Sequence, residues 1–177
     1  RLMNTEVWFD EIPAPLLFVS KGQINAVAPH GIAGKERVRI MVHWPGRTSL
    51  PAEVPVAPAS PGLFSLDGSG RGQVAALNGN GSLNSSRNPA GRGSVIVLFG
   101  TGAGLCSRPL ADGAVVTAAD LLAPVLPVRL EIDGKPAELL YAGPAPGLVA
   151  GVLQVNARVP ATAGIGDLAV RVIVGLE

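Results

Sequence analysis

The sequence has few of the residues on which catalytic, metal and redox sites depend. Its 177 residues include one cysteine, Cys106, and two histidines. A single cysteine cannot form an intrachain disulfide or a cysteine-rich zinc site. Aromatic residues make up 4% of the chain and charged residues 15%; about a quarter of an average soluble domain is charged. The interior must therefore be built mainly from Val, Leu, Ile and Ala.

Charge of one sign and long apolar runs are lacking as well. The net charge is +1, and the Lys and Arg residues are scattered along the chain. Proteins that bind nucleic acids or anionic membranes usually concentrate basic residues in one region. No apolar run reaches the roughly 18 residues that a membrane-spanning helix needs. We therefore expect no nucleic-acid partner and no membrane insertion. The sequence begins at Arg1 with no signal peptide, which we interpret as a processed or excised chain.

Glycine and proline are abundant, with 23 and 16 residues, and they separate short runs rich in β-branched residues. That pattern is typical of strands joined by tight turns, and it predicts an all-β fold. One short helix is expected at 117–122, with Thr117 as its N-cap. Strands are expected at residues 7–9, 15–19, 23–28, 37–42, 52–56, 73–77, 94–99, 128–132, 138–141, 152–159 and 168–174.

Alternation within these runs predicts which side chains face the core, because successive residues of a strand point to opposite faces. Asn78-Gly79-Asn80-Gly81 predicts a hairpin between residues 73–77 and 82–83, since Asn-Gly pairs supply the positive φ of tight turns. Asp112-Gly113 and Asp133-Gly134 predict two further turns. The residues expected to point inward are Val38, Ile40, Val42, Val95, Val97, Val155, Val170 and Val172.

An internal repeat relates residues 7–39 to residues 128–171. Pro13 and Pro136 are 123 residues apart, whereas Pro29 and Pro160 are 131 apart, so an eight-residue insertion near 144–151 separates the two offsets. A repeat of this kind indicates one supersecondary unit used twice. The matched segments are Pro13-Ala14 with Pro136-Ala137, Gln23-Ile24-Asn25 with Gln154-Val155-Asn156, and Val38-Arg39 with Val170-Arg171.

The repeated motifs read Pro-Ala-x-x-Leu-Tyr/Phe and then Gln-x-Asn-x-x-Val/Ala-Pro, and an opening strand with Gly-Thr-Gly lies at residues 93–102. Together they resemble the Solibacter-type C-terminal domain family. Residues 59–64, 67–73, 80–84 and 88–90 carry the resemblance through the connecting stretch. The resemblance implies immunoglobulin-like repeats, related to the IPT/TIG type, on large exported proteins of Acidobacteria. It implies no catalytic residues, and we expect no metal or cofactor.

We therefore expect two immunoglobulin-like β-sandwich modules in tandem, at residues 1–64 and 94–177, joined by a Gly/Asn-rich hairpin connector at 65–93. The opening strand that the family places before each module precedes the second module but not the first. The first module, without its N-terminal strand, would expose unpaired backbone groups and apolar core. We expect either strand addition by another chain or a neighbouring module, or closure by residues 1–5.

Two binding roles remain open at this point. The first is a non-catalytic structural or interaction module of a secreted or cell-surface bacterial protein, with a role in adhesion or assembly. The alternative is a carbohydrate-binding β-sandwich, in which sugars stack on Trp8, Trp44 or Tyr141. Gln23/Asn25 and Gln154/Asn156 each place two amides on one face of a strand, where they can bind sugar hydroxyls or the backbone of a neighbouring loop.

A hydrolase is a third hypothesis, and it needs a polar cleft around His43 or an acid pair. No Gly-x-Ser-x-Gly nucleophile motif accompanies either His30 or His43. The loop that begins at Asp67 has Arg71 at its fifth position and Asn78 at its twelfth, where a calcium loop needs acids. We interpret this loop as a glycine turn. The close acidic pairs, Asp10/Glu11 and Glu131/Asp133, flank turns.

Overall fold

The computed structural model describes residues 2–175 and confirms the all-β prediction. Arg1, Leu176 and Glu177 lie outside the described residues, and with them the start of the predicted closing segment 1–5 and the end of the predicted second module. Two 3-10 helices, His30–Ile32 and Ala118–Asp120, accompany the strands. The strands are β1 Glu6–Phe9, β2 Ile12–Ala14, β3 Leu16–Val19, β4 Ile24–Ala26, β5 Arg37–Trp44, β6 Arg47–Thr48, β7 Ala52–Pro55, β8 Gly62–Leu63, β9 Ala76–Asn78, β10 Val95–Thr101, β11 Val128–Ile132, β12 Lys135–Pro136, β13 Glu138–Pro144, β14 Val152–Arg158 and β15 Val170–Val174.

These strands form antiparallel sheets in which one five-strand pattern occurs twice. In the first unit, β2-β1-β5 form part of one sheet and β3-β4 form another. In the second unit, β12-β11-β15 form one sheet, and β13-β14 belong to a sheet that continues through β10 to β8 and β9. The strands β1–β5 and β11–β15 therefore have the same order and, within each set of five, the same neighbours. We call them the first and second units.

The strand registers of the two units agree residue by residue. Leu16 pairs with Ala26 and Phe18 with Asn25, and a register shift lies between the two pairs. In the second unit Leu139 pairs with Ala157 and Tyr141 with Asn156, again with a shift between them. The two units thus share the irregularity as well as the pairing.

The structure corrects one part of the sequence alignment. Arg39 accepts a hydrogen bond from Asp10 N–H, and Ala169 accepts the equivalent bond from Asp133 N–H, both at 2.8 Å. Val38-Arg39 therefore corresponds to Leu168-Ala169 and not to Val170-Arg171. A slip of two residues leaves the alternation of a strand unchanged, so the pattern alone does not distinguish the two alignments.

The main core lies between the two sheets of the second unit. Buried residues from β10 and β14 pack against buried residues from β11, with β15 residues beside them, which makes a β-sandwich. The fully buried members include Leu98, Val155 and Ala157, each 0% exposed. The sheets are held together by apolar aliphatic side chains, as the scarcity of aromatics required.

Most of the predicted inward residues do face a core, but those of β10 do not. Val38 and Val155 are buried, and Ile40, Val42, Val170 and Val172 are half-buried. The prediction is wrong for Val95 and Val97, because the buried side chains of β10 are Ile96 and Leu98. Every residue from Val95 to Phe99 is apolar, so the run has no polar face from which its orientation could be read.

The predicted turns are present. Asn78 N–H donates to the Ser82 carbonyl at 2.8 Å, and Leu77 bridges Leu83, which closes the Asn-Gly hairpin. Asp133 and Gly134 have φ of 58° and 65° between β11 and β12. The predicted helix at 117–122 is shorter than expected, one 3-10 turn at Ala118–Asp120. Asp120 accepts from both the backbone N–H and the hydroxyl of Thr117, at 3.1 and 2.7 Å.

The eight-residue insertion is ordered by pairing with the loop between β10 and β11. Val116 N–H donates to Leu148 and Ala150 N–H donates to Ala114, both at 2.8 Å. β8 and β9, which precede the second unit, both pair with β10. The module boundaries at 64 and 94 stay a prediction. Within residues 2–175, no helix has the length and hydropathy needed to span a membrane.

Candidate binding surface

The two amide pairs adopt the same arrangement in both units. Gln23 Nε2 donates to Asn25 Oδ1 at 2.8 Å, and Gln154 Nε2 donates to Asn156 Oδ1 at 2.9 Å. Each pair lies on the face of its strand opposite the core. The pairs bond within themselves, and no side-chain bond to a neighbouring loop is found for them in the described residues. The first pair is exposed and the second is half-buried.

Trp8 lies on the outer face of the β1-β5 sheet. Its indole N–H donates to the Glu6 carboxylate at 3.2 Å, and its ring meets the His43 ring edge-on, with centroids 6.0 Å apart. The ring is half-buried by these neighbours. Its polar edge and one side are thus occupied within the sheet.

Trp44 ends β5 and is 40% exposed. Trp44 lies two residues after Val42 and shares its face of the sheet. Trp8 pairs with Met41 and therefore lies on the opposite face. Trp44 lines a groove of about 440 Å³, which we call the first-unit groove. The lining residues are Met3, Thr5, Val19, Ser20, Lys21, Ile24, Val42, Trp44 and Pro45.

Tyr141 lies in the second unit, beside a shallower cavity of about 330 Å³ bounded by residues 123–128 and β13. Its hydroxyl donates to the Pro144 carbonyl at 2.7 Å. Partial burial raises the pKa of the phenol. Burial likewise raises the pKa of the Cys106 thiol, which favours its protonated, less reactive form. Trp8, Trp44 and Tyr141 therefore occupy three separate surfaces and do not form one sugar-stacking platform.

The two histidines have different partners. His30 Nδ1 and His30 N–H both donate to Asp112 Oδ1, at 2.6 and 2.9 Å, and so join the first unit to the loop after β10. A carboxylate only accepts hydrogen bonds, so the proton of the neutral ring is on Nδ1. His43 Nδ1 lies 3.0 Å from the Thr48 hydroxyl.

Three residues of the two acidic pairs, Asp10, Glu131 and Asp133, contact cations. Asp10 binds Lys35 and Asp133 binds Lys135, both at 2.6 Å. Glu131 lies 3.9 Å from Arg171. Such contacts suit turns that are fixed in place rather than a pair of carboxylates across a cleft.

Asp67 is satisfied by its own loop. Its Oδ1 accepts from the Ser65 hydroxyl at 2.7 Å, and from the Ser69 N–H and hydroxyl at 3.0 and 2.7 Å. These bonds lower the pKa of Asp67 to about 2, with the Ser69 N–H as the largest cause. The interpretation as a glycine turn agrees with this geometry. Across residues 2–175 there is no group of three or more His, Cys, Asp or Glu residues placed to hold a metal ion.

The units differ most at one strand edge. In the second unit, β14 is flanked by β13 on one side and by seven paired residues of β10 on the other. In the first unit, β4 pairs with β3. Among the described residues no strand pairs with the other edge of β4. This is the position of the strand that the sequence predicted to be missing.

The backbone groups at this edge belong to Ile24 and Ala26. Ser20 N–H donates to Gln23 at 2.8 Å and Val27 N–H donates to Pro15 at 2.9 Å, so residues 23 and 27 direct backbone groups toward β3. Alternate residues of a strand direct their backbone groups to opposite sides. Ile24 and Ala26 therefore direct theirs to the open edge.

The side chains of the same two residues are uncovered. Their counterparts, Val155 and Ala157, are each 0% exposed beneath β10. Ile24 is half-buried and Ala26 is exposed. The open edge thus combines unpaired backbone with apolar side chains that the second unit buries.

Residues 2–5 do not pair with this edge. Leu2 and Thr5 exchange two backbone hydrogen bonds, at 3.2 and 2.8 Å, around a turn of Met3 and Asn4. Both turn residues have positive φ, 48° and 55°. Within residues 2–5, closure by strand pairing with β4 is therefore not found; Met3 and Thr5 only line the groove.

The sequence predicted a missing strand, because no segment before Val7 resembles residues 93–102. It did not indicate that β4 is the strand without a neighbour, or which residues line the first-unit groove. The groove depends on the distance between the side chains of β4 and those of β5, which lie in different sheets. A local sequence pattern does not predict that distance. Comparison of the chain with protein-family models, curated proteins and solved structures found no match.

Proposed function

We propose that the chain is a non-catalytic structural or interaction module of an exported or cell-surface bacterial protein, built from two immunoglobulin-like sandwich units in tandem. The observation that carries this proposal is the repeated five-strand unit with the same register and the same irregularity in both copies. Repeats of a rigid unit are typical of spacers and of surfaces that present binding edges. The resemblance to the Solibacter-type family supports the exported location.

The residue chemistry also supports a non-catalytic role. The polar side chains singled out for catalysis engage in contacts that fix turns or join the units: His30 with Asp112, Asp10 with Lys35, and Asp133 with Lys135. An enzyme would be expected to aim such groups at a shared cleft.

The test is a hydrolysis screen with ester, phosphate-ester and glycoside substrates between pH 5 and 8. We expect no turnover above a buffer blank. Turnover by the wild-type chain that disappears in His43→Ala, or in both His30→Ala and Asp112→Ala, while folding is unchanged, would overturn the non-catalytic assignment. Glu53→Ala is the control, because it breaks the ion pair with Arg37, which involves neither histidine.

A carbohydrate-binding role is the second candidate, and the exposure of Trp44 beside the first-unit groove favours it. Sugar rings pack on exposed indole faces. A glycan array run on the wild type and on Trp44→Ala tests it. Binding lost in Trp44→Ala and kept in Trp8→Ala would support this candidate, and a blank array would contradict it.

A further inference from the structure

We propose that the open edge of β4, together with the first-unit groove, is the acceptor for one added antiparallel strand with the side-chain chemistry of β10. This inference rests on the proposed role as an interaction module and states what the module binds. The occupant is a partner protein that presents an extended segment with bulky aliphatic residues at alternate positions.

The second unit shows what occupies the equivalent edge. There β10 lies beside β14, with Leu98 opposite Val155 and Ile96 opposite Ala157. Val159 N–H donates to Ser94 at 2.9 Å across the same edge. Because β4 and β14 share register with their other neighbours, the added strand would place its aliphatic residues opposite Ile24 and Ala26.

Part of the groove wall corresponds to residues that surround Leu98 in the second unit. Val19, Ile24 and Val42 line the groove. Their counterparts by register are Ala142, Val155 and Val172; Val155 belongs to the core cluster that contains Leu98, and Ala142 and Val172 pack against that cluster. The first unit therefore presents a depression with an aliphatic wall like the one that covers a buried leucine.

Backbone and side chains would be recognised together. Ile24 and Ala26 direct unpaired N–H and C=O groups to the open edge, which suits strand addition, where main-chain bonds give affinity and alternate side-chain pockets give specificity. Gly151 lies beside the Val27 side chain, since a Cβ on Gly151 would be 3.1 Å from Val27 Cγ1. The backbone groups offered to the added strand are therefore those of Ile24 and Ala26.

The probe is a labelled synthetic peptide with the sequence of residues 93–102, flanked by lysines for solubility, added to the full chain and followed by fluorescence anisotropy. We expect saturable binding. A peptide carrying Leu98→Asp should bind at least tenfold more weakly, because this side chain enters the groove. A peptide carrying Val97→Thr should bind like the parent, because its side chain faces away from the core.

The matched protein variant is Ala26→Pro, which removes an N–H that faces the open edge. Proline is tolerated at such edge positions, so circular dichroism and thermal unfolding should match the wild type while peptide affinity falls at least tenfold. Ile24→Lys, which places a charge in the groove, is the second variant if Ala26→Pro does not fold. Leu50→Lys makes the matched aliphatic-to-lysine change at a side chain that is 89% exposed and does not line the groove, and it should keep the affinity.

Three results would overturn the inference: no saturable binding, equal binding of the Leu98→Asp peptide, or equal binding by Ala26→Pro and Ile24→Lys. Concentration-dependent dimers without peptide, lost in Ala26→Pro, would also overturn it by identifying a second copy as the occupant. Any of these leaves the hydrolysis screen and the glycan array unaffected, so failure of this inference is distinguishable from failure of the proposed function.

Discussion

His30 and Asp112 are 82 residues apart in the chain, and a single carboxylate oxygen of Asp112 accepts two hydrogen bonds from His30. The contact joins the turn after β4 to the loop between β10 and β11. Both side chains are about three-quarters covered, with exposures of 26% and 29%. It is a polar contact between the first unit and the loop that leads into the second unit.

Breaking that contact should loosen the units without unfolding them. We expect Asp112→Ala to lower the free energy of unfolding by about 1 kcal/mol and to increase the radius of gyration in small-angle X-ray scattering. Glu53→Ala, which breaks the Arg37–Glu53 ion pair within the first unit, is the control and should leave the scattering unchanged. An unchanged radius in Asp112→Ala would show that the contact does not restrain the units.

The orientation of β10 can be checked by truncating neighbouring side chains. Leu98 is 0% exposed, and Leu98→Ala should destabilise the chain by about 2–5 kcal/mol in urea unfolding, since a buried leucine leaves a cavity. Val97→Ala removes a half-buried side chain on the other face and should cost roughly 1 kcal/mol. The reverse order would mean that Val95 and Val97 face the core after all.

Asp133 should tolerate asparagine better than alanine. Its φ is 58°, a left-handed conformation that asparagine adopts more readily than alanine. Its carboxylate accepts from Lys135 Nζ at 2.6 Å and from Gly164 N–H at 2.9 Å. We expect Asp133→Ala to lower Tm more than Asp133→Asn in a thermal scan. Asp10, the counterpart with φ of 53°, should show the same order, and a reversed order at both sites would contradict the shared role.

Stability should fall in acid because four aspartates are held ionised. The pKa is lowered at Asp10 chiefly by Arg39 N–H, at Asp67 by Ser69 N–H, at Asp120 by Thr117, and at Asp133 by Lys135. A folded pKa below the ordinary value of 3.8 stabilises the fold above that value, and the stabilisation is lost as pH falls through the folded pKa.

The measurement is Tm against pH from 7 to 2. We expect a plateau above pH 5 and a fall between about pH 4 and 2, where these carboxylates take up protons. The folded pKa of Asp67 is about 2, so its variant Asp67→Asn should flatten the lower end of this curve. A curve for Asp67→Asn parallel to that of the wild type would contradict the stabilising role of its loop contacts.

Comparison of the two repeats within the sequence predicted part of their structural alignment correctly and part of it wrongly. The identities at Pro13 and Pro136, and at the two Gln-x-Asn pairs, correctly indicated one unit used twice. The alignment of β5 with β15 failed by two residues, because strands of alternating Val and Ile match equally well at either register. The hydrogen bonds from Asp10 N–H to Arg39 and from Asp133 N–H to Ala169 established the correct alignment.

At the candidate site, too, the sequence predicted one feature correctly and left its position to the tertiary structure. The absence of a Gly-Ser-Val strand before Val7 pointed to an open strand edge, and the structure places that edge at Ile24 and Ala26. The three aromatics chosen for sugar stacking are on separate surfaces. Their separation in space follows from sheet pairing, whereas the sequence indicates only that each is an aromatic residue in or near a predicted strand.

By itself the sequence determined the local features: an all-β chain, tight turns at Asn78-Gly79 and Asp133-Gly134, and a repeated unit. These depend on φ preferences and on a period of two, which neighbouring residues decide. Only the tertiary structure decided that Ile96 and Leu98 face the core, and that Ala157 is covered while Ala26 is exposed. Those outcomes depend on which distant strand lies alongside, and the same apolar segment is compatible with more than one neighbour.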